Sequence, residues 1–322
     1  MKARTRSAHC VILAAVILAF LPACNTQEDG PEKPRIALIM KSLANEFFKT
    51  METGARTFAG EHAEDFELVV NGTQSEEDVA GQVSLVEQMM AQSVDAIVIA
   101  PADSKALVGV LDRARKQGIV VVNIDNKLDA DLLKERGLEI PFVGPNNREG
   151  ARRAADYLAK HLKPGDPVAI LEGIPSAFNA IQRKNGFQDG MTEAQMKIVS
   201  SQSANWEMAQ ANQIASGMLT EHPELKALLC SNDNMALGAF AAVREAGKTG
   251  QVQIVGFDNI GAVQDLVRAG TILCTVDQHG DQLAVFGIQF ALRMLTEGAS
   301  PEDQETPVDL VTKESLSAPK AP

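Results

Sequence analysis

The feature that most constrains the fold is a regular alternation of short apolar runs with longer amphipathic segments. The short runs are rich in Val and Ile, as buried β-strands are, and cover residues 35–40, 67–71, 96–100, 120–124, 142–143, 168–171, 198–203, 227–230, 252–257 and 272–276. Between them, segments with helical periodicity cover residues 47–59, 79–92, 104–116, 148–161, 177–191, 206–220, 235–246, 262–269 and 283–296. Such alternation produces right-handed βαβ units and parallel sheets covered on both faces. Because so many strands exceed one ordinary sheet, the pattern predicts an α/β protein with two lobes.

The composition argues against nucleic-acid binding and gives no sign of a cofactor. The 42 acidic residues outnumber the 30 basic ones, and the formal net charge is −12. A surface of this sign repels phosphate backbones. No His or Cys spacing matches a metal site, so no metal or other cofactor is predicted. Cys230 and Cys274 lie in apolar runs, where a disulfide and two buried free thiols are both compatible with the sequence.

The amino terminus has the three-part layout of a secretory signal peptide. Lys2, Arg4 and Arg6 precede an apolar run over residues 11–21, which is shorter than the roughly 20 residues of a membrane-spanning helix. Ala23-Cys24 resembles a bacterial lipobox, in which the Cys is acylated and becomes the first residue; ordinary cleavage is the alternative. We therefore expect a signal peptide over 1–23 and a lipidated Cys24 with a polar tether over 24–34. The mature protein would lie in the periplasm or cell envelope, tethered to the membrane.

Polar and aromatic residues follow the predicted strands, at the ends where parallel sheets bind ligands. These residues are Asn45, Phe47, Phe48, Asp125, Asn126, Arg183, Trp206, Asn232, Asp258 and Gln278. Carboxylate, amide and guanidinium groups form paired hydrogen bonds with the adjacent hydroxyls of a sugar. Aromatic rings pack against the C–H faces of the sugar ring. The set predicts a binding site for a sugar or a similar polyol.

Several of these residues also have a structural interpretation. The aromatic residues Phe47, Phe48 and Trp206 lie at helix starts, where they could belong to the core. Asn232 could shape a turn and Asp258 could cap a helix. Two further residues, Asp103 and Asp233, are predicted as helix N-caps rather than as ligand contacts.

Seven short segments together carry a resemblance to a known family. They are NEFF (45–48), VIAPADSKAL (98–107), NIDN (123–126), RKNGF (183–187), NDNMALGAF (232–240), VGFDN (255–259) and VDQ (276–278). In this order and approximate spacing, the chain resembles the ribose-type periplasmic sugar-binding proteins from about residue 35 to residue 313. The resemblance implies two Rossmann-like lobes of the periplasmic-binding-protein type I fold, joined by crossings near 144–146, 278–279 and 308–309. It assigns 35–145 plus 279–308 to the N-terminal lobe, 146–278 plus 309–316 to the C-terminal lobe, and 317–322 to a tail.

The resemblance also implies roles for the site residues. Asn45 and Asp125 would bind sugar hydroxyls from the first lobe, where Phe47 and Phe48 would pack on the ring. The second lobe would supply polar contacts from Arg183, Asn232 and Asp258 and a stacking ring from Trp206, and Gln278 would contact the ligand at the hinge. A monomer would close around the sugar and deliver it to the permease of an ABC transporter. The alternative is a sensor that presents the sugar to a membrane receptor.

Two positions depart from the ribose-binding pattern. Ribose binders typically have Arg immediately after the site Asp, where this chain has Asn126, and Asn where Ala100 stands. A buried hydroxyl left without a partner costs about 1–3 kcal/mol. The departures therefore argue against ribose as the ligand. Another pentose, a hexose, a deoxy sugar or another polyol would fit as well.

Two other classes of protein share the α/β pattern. The effector-binding half of a sugar-responsive repressor would need an N-terminal helix-turn-helix and a basic face, whereas this chain has an export signal and an acidic body. An α/β enzyme would be expected to carry a catalytic or phosphate-binding motif. The sequence has no G-x-G-x-x-G after a strand, no phosphate-binding P-loop and no G-x-S-x-G turn, so it predicts a binding protein without catalytic activity.

Overall fold

The computed structural model describes residues 33–317. In chain order, the strands are β1 (Arg35–Ser42), β2 (Glu67–Thr73), β3 (Ala96–Ile99), β4 (Val120–Ile124), β5 (Phe142–Pro145), β6 (Pro167–Glu172), β7 (Lys197–Ser203), β8 (Ala227–Cys230), β9 (Gln253–Val255), β10 (Cys274–Asp277), β11 (Gln304–Thr306) and β12 (Asp309–Thr312). The helices are α1 (Glu46–Glu61), α2 (Val79–Ala91), α3 (Val108–Lys116), α4 (Ala130–Glu135), α5 (Asn147–Ala159), α6 (Phe178–Glu193), α7 (Met208–Glu221), α8 (Asp233–Glu245), α9 (Gly261–Arg268), α10 (Gly280–Thr296) and α11 (Lys313–Ser317). The predicted signal peptide, Cys24 and almost all of the tether lie outside the described residues, as does the tail after residue 317.

The strands form two six-stranded sheets, one in each lobe. The first has the order β11-β5-β4-β3-β1-β2 and the second the order β12-β10-β9-β8-β6-β7. Neighbouring strands are parallel, as in β1 with β3 and β6 with β8, whereas β12 is antiparallel to β10. The prediction of an α/β protein with two lobes and largely parallel sheets is confirmed.

The central strands are apolar along their whole length because both faces of each sheet are covered. In β1, Ile36, Leu38 and Met40 belong to one core cluster, while the intervening Ala37 and Ile39 belong to another. Successive side chains of a strand point to opposite faces, so this division separates the two sides of the sheet. In the second lobe, β6 shows the same alternation between two clusters.

The chain passes from one sheet to the other at three places. The first passage joins β5 to α5, the second joins β10 to α10, and the third joins β11 to β12. The imidazole Nε2 of His279 in the second passage lies 2.8 Å from Asp309 Oδ2 at the third. Helix α10 follows most of the second lobe in sequence, yet it packs against β3 and β4 of the first lobe.

Some details were not predicted from the sequence. Strands β11 and β12 and helix α4 were missed, because they are short and lack a clear apolar pattern. Cys230 and Cys274 are both buried free thiols, which decides between the two alternatives for this pair. No helix in the described part of the chain has the length and apolar character needed to span a bilayer.

Candidate ligand-binding site

A small cavity lies between the lobes, at or just beyond the carboxyl ends of β1, β4, β8, β9 and β10. Its lining residues are Lys41, Asn45, Phe47, Phe48, Glu76, Asp125, Asn179, Arg183, Trp206, Asn232, Asp258 and Gln278. The lining combines carboxylate, amide, ammonium and guanidinium groups with aromatic rings. This combination suits a small ligand with several hydroxyl groups and an apolar face.

The structure brings together all the predicted site residues except Asn126. The Asn126 Nδ2 donates to Pro101 O at 3.0 Å, and its Oδ1 accepts from Asn179 N at 3.3 Å. Asp125 has a positive φ of 61°, so the chain turns sharply and directs the two neighbouring side chains to different surroundings. Asn126 therefore binds protein groups, and its position does not support the predicted ligand contact.

Lys41, Glu76 and Asn179 line the cavity but were not predicted from the sequence. Lys41 lies within β1 rather than after it, and Glu76 lies in the loop after β2. A signal for Lys41 was available, because a lysine in an apolar strand is buried only when it is paired. The start of α6 gave no comparable signal for Asn179, since a helix-start Asn is common on any surface.

Lys41, Asp125 and Glu76 form a buried charged cluster in the first lobe. The Lys41 Nζ lies 2.9 Å from Asp125 Oδ2 and 3.6 Å from Glu76 Oε2. Burial lowers the pKa of Lys41, but the two carboxylates together raise it above its usual value. Burial raises the pKa of Glu76, and Lys41 and Asn45 oppose this shift. One ammonium thus holds two carboxylates at the cavity wall.

The start of α1 positions the aromatic part of the first-lobe wall. The Asn45 Oδ1 caps the helix by accepting from Phe47 N at 3.0 Å, and its Nδ2 donates to Glu76 Oε1 at 2.9 Å. The rings of Phe47 and Phe48 are buried in an edge-to-face pair with centroids 5.1 Å apart. The cap fixes the first turn of α1 and so holds both rings beside the polar groups.

Arg183 is the centre of the second-lobe wall. Its Nε donates to Asn147 Oδ1 at 2.7 Å, and its Nη1 donates to Ser231 O at 2.9 Å and to Asp258 Oδ1 at 3.3 Å. The guanidinium also stacks on Phe257, whose ring centroid is 3.7 Å away. Burial lowers the pKa of Arg183, and Asp258 opposes this shift. These contacts fix a forked cation in the orientation that can bind adjacent hydroxyls.

Asp258 joins Arg183 to the hinge. Its Oδ1 also accepts from Gln278 Nε2 at 2.7 Å. Burial raises the pKa of Asp258 well above its ordinary value, and Arg183 opposes this shift. The carboxylate is therefore shared between a second-lobe side chain and the residue that starts the passage back to the first lobe.

Asp233 has a structural role different from the predicted N-cap. The side chain that caps α8 is that of Asn232, which accepts from Met235 N at 2.8 Å. Asp233 is the first helical residue, and its carboxylate accepts from Ile260 N at 2.9 Å and Thr275 Oγ1 at 2.8 Å. Burial raises the pKa of Asp233 to about 7. The prediction failed because adjacent Asn and Asp residues are both good caps, and tertiary contacts select between them.

The Trp206 ring lies against the backbone of Gly173. A Cβ atom at position 173 would come within 2.1 Å of Trp206 Cζ2, so the glycine is required by this close approach. The centroid of the same ring lies 5.5 Å from Cζ of the Arg183 guanidinium. Trp206 thus forms part of the cavity wall, and its contact with the Gly173 backbone fixes the position of the ring.

The backbone is strained at several cavity positions. Trp206 has a φ of 69° and Asp258 a φ of 123°, in addition to the positive φ of Asp125. Non-glycine residues in this region cost about 1–3 kcal/mol and concentrate at functional sites. All three side chains face the cavity, so the strain accompanies the placement of site residues.

Five buried polar atoms of the cavity-lining residues have no hydrogen-bond partner among residues 33–317. They are Glu76 Oε2, Asp125 Oδ2, Asn179 Oδ1, Trp206 Nε1 and Gln278 Oε1, of which the two carboxylate oxygens face the Lys41 ammonium. An unpaired buried polar group costs about 1–3 kcal/mol, and such groups are rare in native proteins. The set offers acceptors and a donor on different walls, which is what a ligand with several hydroxyl groups requires.

Comparison with known proteins identifies the family. A model described as a periplasmic binding protein domain matches residues 36–300. The chain belongs to the periplasmic binding protein family. The D-ribose/D-allose-binding protein of Pseudomonas aeruginosa is 56% identical over 310 residues, which are 94% of this chain and 97% of that protein. The D-allose-binding periplasmic protein of Escherichia coli is 35% identical, over 79% of this chain and 82% of the relative.

Solved structures of periplasmic binding proteins have the same fold. An ABC transporter solute-binding protein from Burkholderia multivorans, with an unknown ligand represented as α-D-erythrofuranose, has a TM-score of 0.86 and 55% identity and covers 88% of this chain and 100% of its own. A protein from Actinobacillus succinogenes with bound D-allose has a TM-score of 0.84 and 38% identity, with coverage of 88% and 99%. The expected two-lobed fold and family membership are therefore confirmed.

Proposed function

We propose that this protein captures a monosaccharide between its lobes by hinge closure and delivers it unchanged to an ABC-type permease. The observation that carries the proposal is the set of unpaired polar atoms around a small cavity whose walls come from both lobes. A ligand that bonds to both walls stabilises the closed arrangement. The distribution of strands between two sheets supports lobes of 35–145 plus 279–308 and of 146–278 plus 309–316.

D-allose is the first candidate ligand and D-ribose the second. Both sugars are named for the Pseudomonas relative, and D-allose is bound in the Actinobacillus structure. Ribose binders are expected to have a cationic side chain immediately after the site Asp. This chain has the uncharged Asn126 there, outside the cavity lining, whereas Lys41 lines the wall beside Asp125. These features favour an aldose other than ribose as the preferred ligand.

Calorimetry of the mature protein against D-allose, D-ribose, D-fucose and myo-inositol tests this proposal. We expect one site per chain, with D-allose bound at a Kd of about 1 μM or tighter, equivalent to about 8 kcal/mol. Recovered sugar should be chemically unchanged by NMR, which separates a binding protein from an enzyme. Absence of binding heat with every sugar in the panel would contradict the assignment.

We propose in addition that the protein is exported and anchored through Cys24, as a monomer. The support is the order of a basic start, an apolar run and Ala23-Cys24 in the sequence. The full-length protein should sediment with membranes, and mass spectrometry should find an acylated cysteine at the new amino terminus. Cys24→Ser should release the protein into the soluble periplasmic fraction; equal membrane association of variant and parent would contradict lipidation.

A further inference from the structure

Three hydrogen bonds cross directly from first-lobe side chains to the starts of second-lobe helices. Ser104 Oγ accepts from Phe178 N at 3.0 Å, and Asn126 Oδ1 accepts from Asn179 N at 3.3 Å, both at the start of α6. Glu46 Oε1 accepts from Gly261 N at 2.8 Å, at the start of α9. None of these three acceptor side chains lines the ligand cavity.

The two helices that receive these bonds begin at residues that cannot cap them. The N-cap positions are Ala177 for α6 and Ile260 for α9, and neither provides a side-chain hydrogen bond. The first N–H groups of a helix have no partner within it and need one from elsewhere. Within the same lobe, α5 and α8 are capped by their own Asn146 and Asn232. The first lobe thus supplies the caps that α6 and α9 lack.

We propose that Glu46, Ser104 and Asn126 are positioning residues for closure, acting as helix caps supplied by the opposite lobe. When the lobes separate, the three acceptors move away from α6 and α9, and the helix N–H groups bond to water instead. The caps then stabilise only the closed state, and the carboxylate of Glu46 also complements the positive end of α9. This inference rests on the proposed capture by hinge closure, and it assigns part of the affinity to residues that do not contact the ligand.

The expected size of the effect follows from the usual contribution of an N-cap. Loss of a cap costs about 1 kcal/mol, which corresponds to about a fivefold change in an equilibrium constant. Because apparent affinity depends on the fraction of molecules in the binding-competent state, the closure penalty appears in the Kd. Glu46→Ala and Ser104→Ala should each raise the Kd for D-allose about fivefold, and the double variant about 25-fold.

Matched controls separate this role from general destabilisation. Glu52→Ala removes an acidic residue of the same helix that pairs with Arg56 within the first lobe. Ser84→Ala removes a hydroxyl that bonds to Ala80 O within α2. Both controls should keep the parental Kd. The ligand-free melting temperature of the test variants should stay within about 1–2 °C of the parent, because the caps are absent from the open form.

Calorimetry with D-allose and small-angle X-ray scattering of the ligand-free protein together decide the proposal. The test variants should show the weaker Kd and, without sugar, a radius of gyration equal to or larger than that of the parent. Parental Kd values in both test variants would overturn it. If the parent itself does not bind D-allose, the ligand assignment fails, and the same comparison of Kd values is made with the sugar that the parent does bind.

Discussion

Asp258→Asn is expected to weaken binding of D-allose by at least about 100-fold. The substitution keeps the size of the side chain but removes the charge that faces Arg183, 3.3 Å away. A hydrogen bond between a ligand hydroxyl and a buried charged group contributes about 1.5–3 kcal/mol, and each 1.4 kcal/mol changes Kd tenfold. The substitution also disturbs the 2.7 Å bond from Gln278, through which the second lobe is joined to the hinge.

The ligand-free Asp258→Asn protein should remain folded, since Arg183 keeps its bonds to Asn147 and Ser231. Circular dichroism and calorimetry measure the two expectations separately. Asp265→Asn is the control, because Asp265 is in the same lobe, pairs with Arg268 and has a side chain that is 79% exposed. A Kd within twofold of the parent for Asp258→Asn would show that Asp258 is not part of the binding site.

Lys41→Met is expected to lower the free energy of unfolding at pH 7 by about 3 kcal/mol. The methionine fills similar space but leaves Asp125 and Glu76 without the ammonium that both carboxylates face. Removing one partner from a buried charged cluster is strongly destabilising, because the remaining charge stays desolvated. Urea-induced unfolding measures the loss, and Lys105→Met, at a side chain that is 68% exposed, is the control.

The loss in Lys41→Met should depend on pH in a defined direction. The pKa of Glu76 is already raised by burial, and removal of Lys41 takes away a group that opposes this shift. A carboxyl whose folded pKa lies above its unfolded pKa destabilises the fold as pH rises through that interval. The difference in unfolding free energy between Lys41→Met and the parent should therefore be smaller at pH 5 than at pH 7. Glu76→Gln added to Lys41→Met should recover part of the stability at pH 7, and equal stability of Lys41→Met and the parent would contradict this account.

Much of the architecture could be predicted because local pattern and tertiary environment agree. Strands β1 and β6 are apolar on both faces, and their burial on both sides requires that composition. Strand β12, with the sequence DLVT, has no such pattern; it forms because β10 offers it a free edge. A pairing of this kind depends on where a distant strand lies, so a local sequence window contains little information about it.

The site was predictable where a side chain lies just after a strand, as Asp125 does after β4 and Asp258 after β9. It was less predictable where backbone conformation decides which neighbour faces the cavity. Asp125 and Asn126 are equally plausible from sequence, and only the positive φ at Asp125 separates them. Lys41 lies within β1, and the sequence does not show that its partners are Asp125 and Glu76, which follow two other strands.

The late position of α10 has a consequence for synthesis of the protein. Leu283, Ala284 and Ile288 of α10 pack in the same core cluster as Val98 of β3 and Ile124 of β4. A growing chain that has not yet produced residues 280–306 therefore lacks a helix and an edge strand of its first lobe. That lobe completes its core only after most of the second lobe has been translated. The nascent polypeptide thus stays short of its native packing until nearly the last of its residues has left the ribosome.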